Sequence, residues 1–148
     1  MTEAPMPERT TAEKLQIKAG QRVAAIDPPT DYHSLVAGLP PGTTVVSDPA
    51  GADVVHLFVV TQADLVRRWP DIVDAARTAS IVWISYPKRG PGVSTDLTRD
   101  SGWRPLRDAG WDPVSQVAID DRWSALRWRQ DPDLRRRREE RGARVGRD

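Results

Sequence analysis

Lys88 and Arg89 are followed, after a Gly/Pro stretch, by Ser94, Thr95 and Asp96. That spacing puts two cations and three helix-capping side chains in one loop, where charge-assisted bonds and helix N–H groups could hold a carboxylate or phosphate. A second loop, Asp27-Pro28-Pro29-Thr30-Asp31, offers two carboxylates and a hydroxyl, with Tyr32 and His33 directly behind it. His33 could serve as a general base there. His56 stands among Val55, Leu57 and Phe58 and suits a packed, hydrogen-bonded core position instead.

Several chemistries are excluded or weakened by residue type. The 148 residues contain no Cys, which removes disulfides, thiolate zinc sites, iron–sulfur clusters and a cysteine nucleophile. Two His without a supporting Cys/Glu cluster make a weak case for a metal site. No G-x-x-x-x-G-K-[ST] spacing exists, so there is no Walker loop. Gly92-Val93-Ser94-Thr95-Asp96 misses the G-x-S-x-G nucleophile elbow at its last position. No catalytic residue, resident metal or cofactor is assigned.

Charge placement says more than the net +1. Positions 131–148 hold seven Arg and five acids; taking these from the totals of 22 and 21 leaves 15 basic and 16 acidic residues before them. The body is not a nucleic-acid surface by bulk charge, and the Arg run 135–138, lacking interleaved aromatics, suits a solvated tail better than a base-stacking one. No apolar run approaches the roughly 20 residues of a membrane span, and the N-terminus shows no signal-peptide core. A cytoplasmic location is expected.

The elements that must position these groups follow from periodicity. Positions 1–9, with Pro5 and Pro7, are expected to be a disordered lead. Thr10 to Glu13 fits a capping box opening a helix that ends near Gly20. Residues 22–26 are a brief apolar run, hence a buried strand; Thr30 then caps a short helix, and 43–47 is a peripheral strand. Residues 53–60 (DVVHLFVV) are apolar on both faces, as a central parallel strand must be. Thr61 opens an amphipathic helix to Arg77 with a stripe of Leu65, Trp69, Ile72, Val73 and Ala76, and Pro70 predicts a kink or break in it. A third buried strand spans 80–86, a weaker helical stretch 96–109, and Val114 to Ile119 with Trp123 to Trp128 form a hairpin.

This alternation predicts an α/β fold: a Rossmann-like three-layer sandwich over 10–130, with a mostly parallel sheet of about six strands ending in an antiparallel hairpin. With strand 22–26 beside strand 53–60, ligands would sit outside their carboxyl ends. The predicted crevice is lined by Asp27, Thr30, Tyr32, His33, Thr61, Lys88, Arg89, Ser94, Thr95 and Asp96. The first turn has no Gly to admit a nucleotide-type cofactor, and its two acids oppose a phosphate.

The stretches "AEKLQIKAGQRVAAIDPP", "DVVHLFV", "WISYPKRGPGVSTDLT" and "VAIDDRWSALRWR" resemble a bacterial family of unknown function, the domain-of-unknown-function 3052 family, over residues 10–129. The element order also resembles an abridged class I S-adenosylmethionine-dependent methyltransferase fold, best over 53–129, with "ADVVHLFVV" (52–60) as its fourth strand, "SIVWISYPK" (80–88) as its fifth and "AGWDPVSQVAIDDRWSALRW" (109–128) as its terminal hairpin. The first resemblance carries no activity to transfer.

The leading expectation is a non-catalytic binding or accessory module for a protein partner or a small anion. Trp103, Trp111, Trp123 and Trp128 fall late in the chain, and an aromatic patch around the hairpin would serve a protein partner or a homodimer; filling the edge of a small core is the plainer account. One alternative is a minimal enzyme using Asp27, Tyr32, His33, Lys88 and Arg89 on an anionic metabolite, with S-adenosylmethionine-dependent methyl transfer as its candidate reaction. Another is a nucleic-acid-associated factor working through the Arg tail.

Overall fold

Alternating apolar runs and amphipathic stretches lead, in the computed structural model, to one sheet covered on both faces; it describes residues 9–90 and 92–130. The parallel strands are β1 (Arg22–Ile26), β2 (Thr44–Val46), β3 (Val54–Phe58) and β4 (Ile81–Pro87). The hairpin strands β5 (Trp111–Ala118) and β6 (Trp123–Gln130) close one edge in the order β2-β1-β3-β4-β6-β5, with β6 antiparallel to β4. Every residue of β3 is buried, as expected for a strand with elements on both faces. The tail 131–148 and all of the lead 1–9 except Arg9 lie outside the described residues.

The helices are α1 (Thr11–Lys14), α2 (Tyr32–Leu35), α3 (Gln62–Thr78) and α4 (Arg104–Asp108). Only α3 is long. Its Leu65, Trp69, Ile72 and Ala76 are buried against Ala24, Ile26, Val55, Leu57 and Ile84 on one sheet face, where Trp103, Trp111 and Trp128 also pack. Each such large apolar side chain contributes about 1.5–3 kcal/mol on burial, so this face supplies much of the fold's stability. The opposite face carries Ala12, Leu15, Ile17, Tyr32, Leu35, Phe58, Trp83 and Ile119. No helix among the described residues is long and apolar enough to cross a membrane.

Four local expectations need correction. The capping box of Thr10 and Glu13 forms, both bonds at 3.1 Å, but α1 stops at Lys14 rather than near Gly20. Gln16 takes a left-handed φ of 61°, and the Leu15 carbonyl accepts the Trp83 indole N–H at 2.9 Å; tertiary bonding outweighs the helix. Pro70 does not break α3. Pro70 and Val66, whose carbonyl loses its partner, are both exposed, so water can take the bond.

Thr30 does not cap α2. Asp31 is the N-cap, without a side-chain cap bond. Finally, residues 96–103 form turns instead of helix: Gly102 has φ 97°, and a Cβ there would meet the Leu97 side chain. The Thr98 hydroxyl accepts backbone N–H groups from Asp100 and Ser101, which gives the chain an alternative to helical bonding.

Candidate functional site

Strand β1 is followed by β2 on one side, while β3 lies on its other side. The strand order therefore reverses between β1 and β3, the place where open α/β sheets bind ligands beyond the carboxyl ends. A cleft of about 360 Å³ lies there, lined by Asp27, Phe58, Val60, Asp64, Arg67, Arg68 and Trp123. Of these, only Asp27 was among the residues predicted from sequence.

Asp27 sits directly after β1 with φ 54°, a left-handed conformation where Gly would be the easy choice and Asp the next best tolerated. Its Oδ2 accepts a 2.7 Å bond from Arg68 Nε, and Arg68 Nη1 also donates to Asp71 at 3.0 Å. Asp31, the other acid of the loop, accepts from Arg122 Nη2 at 2.7 Å. The first turn thus lacks glycine, as expected, but its two carboxylates are each matched by an arginine from a distant segment.

The start of α3 is filled from within the chain. Thr61 Oγ1 accepts the Asp64 N–H at 3.2 Å, while Asp64 Oδ2 accepts those of Val60 and Thr61 at 3.0 and 3.2 Å. These backbone donors hold the Asp64 carboxyl below its usual range, with Arg67 adding to the effect. Asp96 Oδ1 then accepts the Gln62 N–H at 2.8 Å. The positive end of the helix, an obvious seat for a phosphate, holds two carboxylates of the chain itself.

The loop 88–96 consequently differs from expectation. No helix opens at Ser94, Thr95 or Asp96. Ser94 is exposed, Thr95 donates its hydroxyl to the Val60 carbonyl, and Asp96 caps α3. Lys88 is half-buried, its N–H bonded to the Arg122 carbonyl at 2.9 Å, and Arg89 is exposed. Thr30 and His33 are exposed as well.

Tyr32 does not face a crevice. It is buried, and its hydroxyl lies 3.0 Å from His56 Nδ1; His56 Nε2 lies 2.6 Å from Ser85 Oγ. His56 is fully buried and stacks on Phe58 at 4.3 Å. Burial pushes the imidazole down to about 3 and the Tyr32 hydroxyl above its usual range, so both are neutral at pH 7. This row of polar groups is structural in character, satisfied from both ends.

Trp103, Trp111 and Trp128 are buried, and Trp123 is half-buried. Only the Trp123 ring reaches the cleft, edge-on to Phe58 at 5.1 Å. Among the described residues, no group of three or more His, Asp or Glu is placed to hold a metal ion.

The missed lining residues come from three places: Phe58 and Val60 at and just after the end of β3, Asp64, Arg67 and Arg68 on α3, and Trp123 at the start of β6. Arg67 and Arg68 belong to the second turn of α3, off its apolar stripe, and periodicity alone does not show which positions beside the stripe lean toward β1. Asp27 and Arg68 are 41 residues apart, a pairing that one sequence does not display.

No family model matches the chain, and no curated protein matches it. Among solved structures, a protein of the NADB-Rossmann superfamily from Streptococcus agalactiae superposes with a TM-score of 0.51 at 9% identity, over 84% of this chain and 69% of that one. The fold is Rossmann-like. At this identity the likeness carries the architecture and nothing of the neighbour's ligand. Within the Rossmann-like sheet, the cleft beyond β1 and β3 is the best-placed site.

Proposed function

We propose that this chain is a non-catalytic Rossmann-like binding or accessory module that takes a small ligand at the cleft between β1, β3 and α3 and does not seat a nucleotide-type cofactor. The observation that carries this reading is the α3 N-terminus, where Asp64 and Asp96 already occupy the donors a phosphate would need. The groups suited to acid–base work support it too: beneath the surface Tyr32 bonds to His56 and His56 to Ser85, while His33 is exposed, edge-on to the buried Tyr32 ring.

Membership of the domain-of-unknown-function 3052 family, an abridged methyltransferase-like ancestry and a cytoplasmic location belong to the same proposal. So does a protein partner or second copy at the hairpin. There β5 is the outer strand and Val114 is 50% exposed, so backbone and an apolar side chain are both presented.

A thermal-shift panel tests the reading. S-adenosylmethionine, its demethylated product, nicotinamide dinucleotides and nucleoside phosphates should leave the midpoint unchanged at millimolar concentration. A rise of several degrees with any of them would overturn it.

A further inference from the structure

The cleft has two unlike halves. Phe58, Val60 and the half-buried Trp123 form an apolar wall, with the Phe58 and Trp123 rings 5.1 Å apart and edge-to-face. Val60 is 42% exposed, a large apolar side chain left facing solvent beside aromatic rings. The other half is ionic and balanced: Asp27 and Asp64 against Arg67 and Arg68.

The two ion pairs leave valence of both signs unspent. Among the described residues Asp27 uses only Oδ2, on Arg68, so Oδ1 can accept a further bond. Among the described residues Arg67 uses only Nη2, on Asp64 Oδ1 at 3.2 Å, which leaves Nε and Nη1 as donors on a side chain that is 69% exposed. Arg68 is more committed, with Nε on Asp27 and Nη1 on Asp71. A bare anion would gain Arg67 but meet two carboxylates, and a bare cation would meet two guanidinium groups. The lining suits a molecule that is neutral overall, carries one charge of each sign and has a flat apolar body.

We infer that the cleft is a site for a free α-amino acid with an aromatic side chain, its ammonium on Asp27, its carboxylate on Arg67 and its ring against Phe58, Val60 and Trp123. The inference rests on the cleft being the ligand site of a binding module and goes further by naming the ligand class. A ring against Trp123 has an edge or face to meet, while loss of either ligand charge strands one side of the ionic half.

Isothermal titration calorimetry on the full chain tests it, with L-phenylalanine and L-tryptophan set against 3-phenylpropionate, phenethylamine and inorganic phosphate. The amino acids should bind, and removing either charge should weaken binding at least tenfold. Arg67→Gln and Asp27→Asn should each cost a similar factor, the second chosen because Asn also tolerates positive φ. Arg77→Ala, whose partner is Asp74, should change nothing.

Equal binding of 3-phenylpropionate and L-phenylalanine would overturn the inference in favour of a plain anion site, as would binding that survives both cleft variants. Silence from every aromatic compound would overturn the inference alone. Binding of nucleotide cofactors would instead sink the underlying reading, so the two failures are distinguishable.

Discussion

Asp96 Oδ1 accepts a 2.8 Å hydrogen bond from the N–H of Gln62, the first residue of α3, across 34 residues of chain. The contact closes the loop after β4 onto the helix after β3, and it places a carboxylate where the helix dipole favours an anion. Thr95 reinforces it by donating to the Val60 carbonyl. A loop that looked like a ligand cradle therefore functions as part of the scaffold.

Replacing Asp96 removes that cap. Asp96→Ala should lower stability by about 1 kcal/mol in urea unfolding, the usual cost of a lost helix cap. The same variant should acquire weak phosphate binding that the parent chain lacks. An unchanged unfolding midpoint would show that the bond contributes nothing in solution.

The buried imidazole gives stability a pH dependence of known sign. His56 titrates near 6.5 when unfolded and is pushed down to about 3 when folded, so between those values the unfolded chain binds the extra proton. The contribution of the neutral imidazole is fully present above pH 6.5 and is lost progressively as pH falls, by about 1.4 kcal/mol per pH unit across the window. Urea unfolding at pH 7.5, 5.5 and 4.5 should show this slope, and His56→Gln should flatten it. A parent chain equally stable at all three values would contradict the burial.

Tyr32 holds one end of the same polar row. Tyr32→Phe leaves His56 Nδ1 buried without its partner and should cost about 1–3 kcal/mol. In a double-mutant cycle Tyr32→Phe and Ser85→Ala, which act on opposite ring nitrogens, should couple by at least about 0.5 kcal/mol. Additive losses would mean the two bonds are independent.

Position 27 tests the turn itself. With φ at 54°, Asp27→Val forces a β-branched side chain into the left-handed region and should destabilise by about 2 kcal/mol, whereas Asp27→Gly should be far milder because freed backbone strain offsets the lost pair with Arg68. Equal losses for the two would place the whole effect in the ion pair.

Much of the architecture was legible because burial leaves a strong period. Residues 22–26 and 53–60 read as strands because they are apolar on both faces, and the Leu65, Trp69, Ile72, Ala76 stripe with Thr61 before it marked α3 to within a residue. Strand β6 alternates between the two cores: Leu126 and Trp128 join one, and Ala125 and Trp123 the other. Short helices were less legible. With four or five residues each, α1, α2 and α4 are set by tertiary bonds such as that from Trp83 to Leu15, which outweigh local propensity.

The site was half legible for a related reason. Strand order located the crevice and the Gly-free turn, but the partners that tame its acids, Arg68 and Arg122, come from 41 and 91 residues away. Tyr32 and Asp96 look like ligand groups in the sequence because it shows a side chain's type and not the bond that consumes it.

With Asp64 and Asp96 on the donors at the start of α3 and no glycine in the turn after β1, the carboxyl end of this sheet should seat no phosphate-bearing or S-adenosylmethionine-type cofactor. Amide NMR of the full chain reads it directly, at the Gln62 and Asp64 N–H groups, during titration with a nicotinamide dinucleotide, a nucleoside diphosphate and S-adenosylmethionine. Both resonances should stay in place throughout. Saturable movement of either one at micromolar ligand would contradict it.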